Sequence, residues 1–477
     1  MKIQVIGGGL AGPEAALTAA RLGCAVDLYE MRAIVDGKPR LTPAHQTVDF
    51  GELVCSNSLK SESPSTAPWL LKQEMRRASS ALLRIADETA VPAGHALAVD
   101  RVDFSRRISE EIAAEPLIRV VREEVTRLDS DEYALTILAT GPLTSVALCA
   151  VIERITGSGQ LAFYDSISPI VEADSIAMEL VYFAARWEKG TADYINCPMD
   201  RAEYDRFYDA LVAAEPAEIK EWETADYFEG CLPIEILARR GRDTLRFGPM
   251  KPVGLRDPRT GQTPYAVVQL RCENLRADSY NLVGFQNHLK FGDQARVLRL
   301  IPGLENAVFL RYGQIHRNTY INAPTLLTET LQLKAHPGIL VAGQLSGVEG
   351  YTESIASGLL AGRYAAALAQ GRTPQAAPRE CALGSLTHYI THTEAKTFQP
   401  ANMTFDLLPA LNKDAMEPEM RKRLRDKKER HRIQCDSALA AFDGWMSGAG
   451  THSTSLRAGL GGSHSLAETT AATELPG

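Results

Sequence analysis

No two of the eight cysteines, at positions 24, 55, 149, 197, 231, 272, 381 and 435, lie closer than 31 residues. That spacing excludes a CxxC redox pair, a zinc ribbon and a local iron–sulfur pattern, and no metal site is expected from it. The eight read instead as reduced thiols of a cytoplasmic protein. Long apolar runs are also scarce. Residues 134 to 152 carry no charge, but Gly141-Pro142 breaks the run and predicts a strand, a turn and a helix rather than a membrane span. The opening "MKIQVIGGG" enters a strand at once, which leaves no room for a targeting peptide. An excess of positive charge is missing too: 51 Lys and Arg face 59 Asp and Glu, a net charge of −8. A protein coated in basic surface is excluded, whereas a local basic groove is not. There are no internal repeats. The segment 447–477 lacks apolar periodicity and is expected to be a disordered tail.

What is present is an ordinary globular composition, 45% apolar and 23% charged, in 477 residues, enough for two or three domains. Lys2 to Ile6 reads as a strand, Leu10 to Leu22 as an alanine-rich helix, and "AVDLYE" as a second strand, together a parallel βαβ unit. Between the first strand and the helix stands "GGGLAG", a G-x-G-x-x-G run with Gly7, Gly9 and Gly12. Its glycines serve a tight turn, close approach of backbone to a pyrophosphate, and close helix–strand packing. Glu30 closes the second strand 23 residues after Gly7, where an acid suits a ribose hydroxyl. Gly8, Leu10 and Ala11 complete the phosphate turn. A late strand, glycine-rich loop and helix from Gly343 to Gly358 returns to the cofactor and favours FAD over NAD. Val125, Gly141 and Glu353 are further candidate contacts. No second G-x-G-x-x-G follows a strand, so a dedicated NAD(P)H domain is not expected. The predicted class is α/β: a Rossmann-like FAD-binding domain with an inserted smaller α+β domain and a helical C-terminal segment. The expected boundaries are 1–200 and 335–446 for the FAD-binding parts and 201–334 for the insertion.

Within the insertion, "FEGCLPIEILARRGRDTLRFGPMKPVGL" places Cys231 just before a proline-started helix. The helix dipole there favours a thiolate, while Glu235 opposes it; a small buried apolar thiol is the other reading. Residues 237 to 261 carry a net charge of +5 and residues 420 to 432 a net charge of +6. Such runs are often solvated faces, but two of them in an acidic protein suit phosphate contact, with Arg239, Arg240 and Arg242 as RNA-binding candidates. Tyr312, His316 and Tyr320 are candidates for stacking on bases, or for burial.

The segments "GGGLAGPEAA", "HQTVDFGELVCSNSLKSES", "FEGCLPIEILARRG", "PYAVVQLRCEN", "YNLVGFQNHLKF", "HRNTYINAP", "GQLSGVEGYTESIASGLLAG" and "FQPANMTFDLLP" occur in that order. Together they resemble the bacterial folate- and FAD-dependent tRNA (uracil-5-)-methyltransferases, from Lys2 to about Trp445. Gly8 and Gly51 stand where that family usually has alanine. The resemblance implies methylation of carbon 5 of a T-loop uridine, with methylenetetrahydrofolate as one-carbon donor, reduced FAD as reductant and NAD(P)H re-reducing the flavin. A related subgroup acts on ribosomal RNA. It also implies that Cys55 and Cys231 are the functional cysteines. Carbon 5 of uracil needs a thiolate added at carbon 6 to become nucleophilic, and a base must then take its proton. Two isolated cysteines fill those roles, with Cys231 favoured as nucleophile. A flavin disulfide reductase lacks support without CxxC. The sister family acting on the wobble uridine lacks "CLPIE…GPMKPVGL". A non-catalytic flavin-loaded RNA-binding protein leaves the two cysteines without a purpose.

Overall fold

In a computed structural model the chain is described over residues 1–42, 44–128, 132–157, 161–166, 168–216, 232–313, 315–411 and 418–448. Cys231 and the tail beyond Gly448 lie outside these residues. β1 (Ile3–Ile6), α1 (Ala11–Arg21) and β2 (Val26–Tyr29) form the βαβ unit, with Ile3 opposite Val26. β3 (Ile118–Val121), β4 (Leu135–Leu138) and the returning β5 (Ile339–Val341) complete a parallel sheet in the order β5-β4-β1-β2-β3. All residues of β1 and β4 are buried, as a parallel strand covered on both faces requires.

α2 (Tyr351–Ala369) packs along α1 through small residues. A Cβ on Gly358 would collide with the backbone of Ala11, and one on Gly362 with that of Ala15. Glycines four residues apart therefore let the two helix backbones touch. This contact brings the loop before α2, with Gly343, against the glycine loop before α1. A Cβ on Gly343 would stand 3.0 Å from the Cβ of Ala11.

The chain leaves this unit and returns through an antiparallel ribbon of Leu161–Ser166 with Ile315–Tyr320. Between the two arms lies an antiparallel six-stranded sheet. Its order is Tyr182–Phe183, Tyr194–Met199, Ala266–Cys272, Ser279–Leu282, Ile170–Glu172 and Phe309–Arg311. Three of these strands precede residue 201, so the sheet draws on chain upstream of the expected boundary. The helix Arg201–Ala213, held by an Asp200–Glu203 capping box, buries Tyr204, Phe207 and Leu211 in a second core. α3 (Ala382–His392) and the helix Lys427–Met446 close the described C-terminal part. Among the described residues no helix is long and apolar enough to cross a membrane.

The junction between the two sheets positions the loop that carries Cys55. Asn57 is fully buried. Its amide donates to the carbonyls of Val99 and Cys272, each at 3.0 Å, and its Oδ1 accepts from Arg271 Nε at 2.9 Å. Arg271 also donates to Ser56 Oγ at 2.8 Å, and Arg101 pairs with Glu273 at 2.7 Å. Residues after Cys55 are thus fixed by the end of the strand Ala266–Cys272, and those before it by Arg101, which donates to the carbonyls of Leu53 and Val54.

Candidate cofactor and catalytic site

The C-terminal ends of β1, β2, β4 and β5 open on one cavity, with about 1250 Å³ of empty space counting its mouth. This is the crevice in which open α/β sheets hold ligands. Gly7 has φ +116°, and a Cβ there would collide with the backbone of Ala139. A Cβ on Gly12 would collide with the carbonyl of Gly7. Nothing lies within 4 Å of the place where Gly9 would carry a Cβ. The first and third glycines therefore shape the turn, and the second leaves its missing side chain's space to the cavity. Leu10, Ala11, Val125, Gly141 and Gly343 also line it. Glu353 does not: its buried carboxylate accepts from Lys60 Nζ at 2.7 Å and from the backbone N–H of Met403 at 3.0 Å, so it holds loops together.

Glu30 lines the cavity at the end of β2. Its Oε2 accepts from Gly8 N at 2.6 Å, and its Oε1 accepts from Arg32 N at 2.8 Å and Arg32 Nε at 3.0 Å. Burial opposes ionisation, but the Arg32 charge and these hydrogen bonds outweigh it and hold the carboxyl below the usual range. The cavity thus keeps an ionised acceptor suited to ribose hydroxyls. The turn, the open space at Gly9 and this carboxylate fit FAD. Gly8 and Gly51 also find their reason here. A Cβ on Gly8 would collide with Glu30 Oε2 and crowd Phe50, and one on Gly51, at φ +68°, would collide with Ile108.

Cys55 and Tyr351 line the same cavity. The Tyr351 hydroxyl oxygen accepts from Cys55 N at 2.7 Å and Ser56 N at 3.2 Å, and stands 2.9 Å from Cys55 Sγ. Two N–H groups occupy its lone pairs, so its own proton is directed at the sulfur. Burial, then the Cys55 charge, pushes the Tyr351 hydroxyl well above its ordinary pKa, which keeps it a donor. Arg101 stays charged: burial works against it, but Glu273 and the neighbouring Tyr351 and Cys55 prevail. A hydrogen bond to sulfur and a nearby cation both favour a thiolate at Cys55.

Cys231 lies outside the described residues. The helix expected after it runs over Ile234–Arg239 with Pro233 at its N-cap. Glu235, expected to oppose a thiolate, is buried, and burial pushes its carboxyl up to about 7. Its negative charge is therefore only partly present at neutral pH. Among the RNA-binding candidates, Arg239 and Arg240 are exposed. Arg242 is tied to Asp205 at 2.8 Å and to Asp209, and stacks on Tyr208. Lys251 and Arg256 are exposed and have no ion pair or side-chain hydrogen bond among the described residues. They flank Gly254, against which the exposed indole of Trp187 rests, while Phe247 is 79% exposed nearby in sequence. Tyr312 is stacked on Phe291 and Phe309, and Tyr320 is buried against Phe398, so neither ring is open to a base. His316 falls on the ribbon Ile315–Tyr320, with its side chain outside the description.

Sequence reasoning missed Arg32, Tyr351 and Arg101. Tyr351 sits inside the quoted "GVEGYTES" run, but nothing local says that its hydroxyl meets a cysteine 296 residues away. Arg32 and Arg101 have no motif at all.

The model of a family described as glucose inhibited division protein A matches residues 2–373. The methylenetetrahydrofolate–tRNA-(uracil-5-)-methyltransferase TrmFO of Koribacter versatilis is 67% identical over 446 residues, covering 94% of this chain and 98% of its own. The protein of the same name from Enterococcus faecalis is 52% identical over 438 residues, covering 92% and 97%. Among solved structures, Aquifex aeolicus GidA in its form I crystal matches with a TM-score of 0.65 at 17% identity, over 93% of this chain and 75% of that one. That likeness concerns the fold.

Proposed function

The chain belongs to the methylenetetrahydrofolate–tRNA-(uracil-5-)-methyltransferase family, and we propose that the uridine it methylates stands in the T-loop of tRNA. It is a folate- and FAD-dependent methyltransferase that forms 5-methyluridine in tRNA. The observation that carries this reading is 67% identity to a relative so named, across nearly the whole of both chains. The cavity adds the fit for FAD and a cysteine whose sulfur stands 2.9 Å from the Tyr351 hydroxyl. NAD(P)H is the reductant of this reading, and the cytoplasm its compartment.

In this chemistry the thiolate of Cys231 adds to carbon 6 of the uracil and forms a carbon–sulfur bond. The electron pair moves onto carbon 5, which attacks the methylene carbon of the folate substrate. The Cys55 thiolate, fixed by Tyr351, accepts the carbon 5 proton, and the folate nitrogen leaves as the exocyclic carbon–carbon double bond forms. Bound FAD, when reduced, would supply the hydride that turns the methylene into a methyl group. The carbon 6–sulfur bond then breaks and Cys231 leaves as a thiolate, restoring the ring double bond. The expected result is 5-methyluridine in a tRNA transcript incubated with isotope-labelled methylenetetrahydrofolate and NADPH. Label carried in from S-adenosylmethionine instead would end the folate assignment, and methylation confined to ribosomal RNA would end the tRNA target.

Lys251 and Arg256, with Trp187 and Phe247, are the surface of this reading that meets the RNA, because their charges have no ion pair among the described residues. Replacing both cations with glutamine lowers the slope of log affinity against log salt by about 2, roughly one unit per phosphate contact. Arg242→Gln leaves that slope unchanged, since Arg242 already has two carboxylate partners. Equal salt dependence for wild type and the double variant would remove these residues from the interface.

A further inference from the structure

We propose that Glu329, His388 and His392 form a binding site for one borderline-soft divalent metal ion, of which Zn²⁺ is the type. The site lies outside the catalytic cavity, and none of the three residues lines it. His388 and His392 are four residues apart in the last turns of α3, so both project from one face. Their rings stack with centroids 4.1 Å apart and planes 15° from parallel. Glu329 Oε1 lies 3.4 Å from His388 Nδ1 and 3.7 Å from His392 Nδ1. One ligand atom from each of the three falls within 4.8 Å of the others.

These separations comprise one long hydrogen bond, between His388 Nδ1 and Glu329 Oε1, and one contact beyond hydrogen-bond range, so hydrogen bonding accounts for only part of the convergence. They match the edge of a small coordination tetrahedron. With metal–ligand bonds of about 2.0–2.2 Å, neighbouring donors of a tetrahedral ion stand about 3.4 Å apart. Two imidazole nitrogens and one carboxylate select a Zn²⁺-like ion over Mg²⁺ or Ca²⁺, which take oxygen ligands. Side-chain exposures of 36%, 50% and 48% for His388, His392 and Glu329 leave the fourth position to water or an outside ligand.

The backbones that carry the donors are set in advance. Glu329 stands in a turn closed by Leu331 N to Thr328 O at 2.9 Å and Thr328 N to Gln332 O at 3.0 Å, and anchored by buried Leu327 and Leu331. α3 is fixed by burial of Leu383, Leu386 and Ile390, and its first N–H groups donate to Glu74 at 2.7 and 2.9 Å. Only side-chain tips remain to be ordered, so the cost of assembling the site is small. His392 Nδ1 also stands 2.9 Å from Thr391 Oγ1, whose own hydrogen is donated to Thr387 O at 2.8 Å. Metal binding at Nδ1 requires the neutral ring with its proton on Nε2. A bound ion would tie α3 to the turn that leads into β5.

The test is a Zn²⁺ titration of the full-length, FAD-loaded protein against a chromophoric chelator, after dialysis to remove metal. Wild type is expected to take up a single equivalent. The His388→Ala, His392→Ala double variant and Glu329→Gln are expected to lose at least about tenfold in affinity. These side chains are exposed, so FAD content and melting temperature without metal should match wild type. The same variants should abolish the rise in melting temperature that Zn²⁺ gives the wild type. Uptake equal in wild type and both variants would place the metal elsewhere, for example on cysteine, and overturn the proposal. No uptake by the wild type would do the same.

Discussion

Cys55→Ala lowers tRNA methylation by about 10²–10⁴-fold, the usual share of a positioned proton acceptor, while FAD content and tRNA binding stay at wild-type levels. The size follows from the position of the sulfur. Both faces of the Cys55 loop are pinned by Asn57, Arg271 and Arg101, so removing one sulfur leaves the loop in place. What is lost is an acceptor whose thiolate is favoured by the Tyr351 hydroxyl and the Arg101 charge. Tyr351→Phe separates the two contributions. A hydrogen bond to a charged group contributes about 1.5–3 kcal/mol. The lost bond favoured the charged form, so the thiol pKa rises and less thiolate is present at neutral pH. Alkylation of Cys55 by iodoacetamide, followed by peptide mass spectrometry across pH, should therefore shift to higher pH in Tyr351→Phe. Methylation should fall in parallel and recover in part as pH rises. Wild-type methylation by Cys55→Ala, or an unmoved alkylation profile in Tyr351→Phe, contradicts these roles.

Gly9→Leu yields a protein that folds but does not retain FAD. The substitution meets no protein atom near its Cβ, and Gly9 is free of the positive φ that constrains Gly7, so the fold has no reason to resist it. The added side chain instead occupies the cavity where the backbone must approach the pyrophosphate. Flavin released on denaturation should drop to background, with the circular dichroism spectrum kept. Gly12→Leu is the contrast: its side chain would run into the Gly7 carbonyl, so folding itself should fail. Full flavin content in Gly9→Leu would show that the cofactor lies elsewhere.

The two variants differ because the glycine motif records two kinds of constraint, and the sequence showed only their sum. The βαβ unit, the glycine turn and Glu30 were legible because the residues that define the motif lie within thirty residues of one another. The returning strand and α2 were legible from composition, since helices whose backbones touch must be rich in Gly and Ala. The surroundings of Cys55 were not legible. Tyr351, Arg101 and the pair Arg271 and Glu273 reach it from three separate parts of the chain, and no periodicity encodes such a meeting. Glu353 was misplaced for a related reason. Its segment returns to the cofactor, but a helix turns one side chain toward the cavity and the next away, and Glu353 faces Lys60. A charge count likewise does not reveal that Asp205 and Asp209, on the helix Arg201–Ala213, hold Arg242 while Arg239 and Arg240 stay exposed.

The division of labour between the two cysteines is tested most directly with tRNA carrying 5-fluorouridine at the target position. Fluorine in place of the carbon 5 proton prevents the step assigned to Cys55, so the adduct formed by the other cysteine accumulates. Peptide mass spectrometry of the trapped complex should find RNA on Cys231, in wild type and in Cys55→Ala, and none in Cys231→Ala. RNA joined to Cys55, or no covalent adduct in a wild-type protein that methylates ordinary tRNA, would contradict the account.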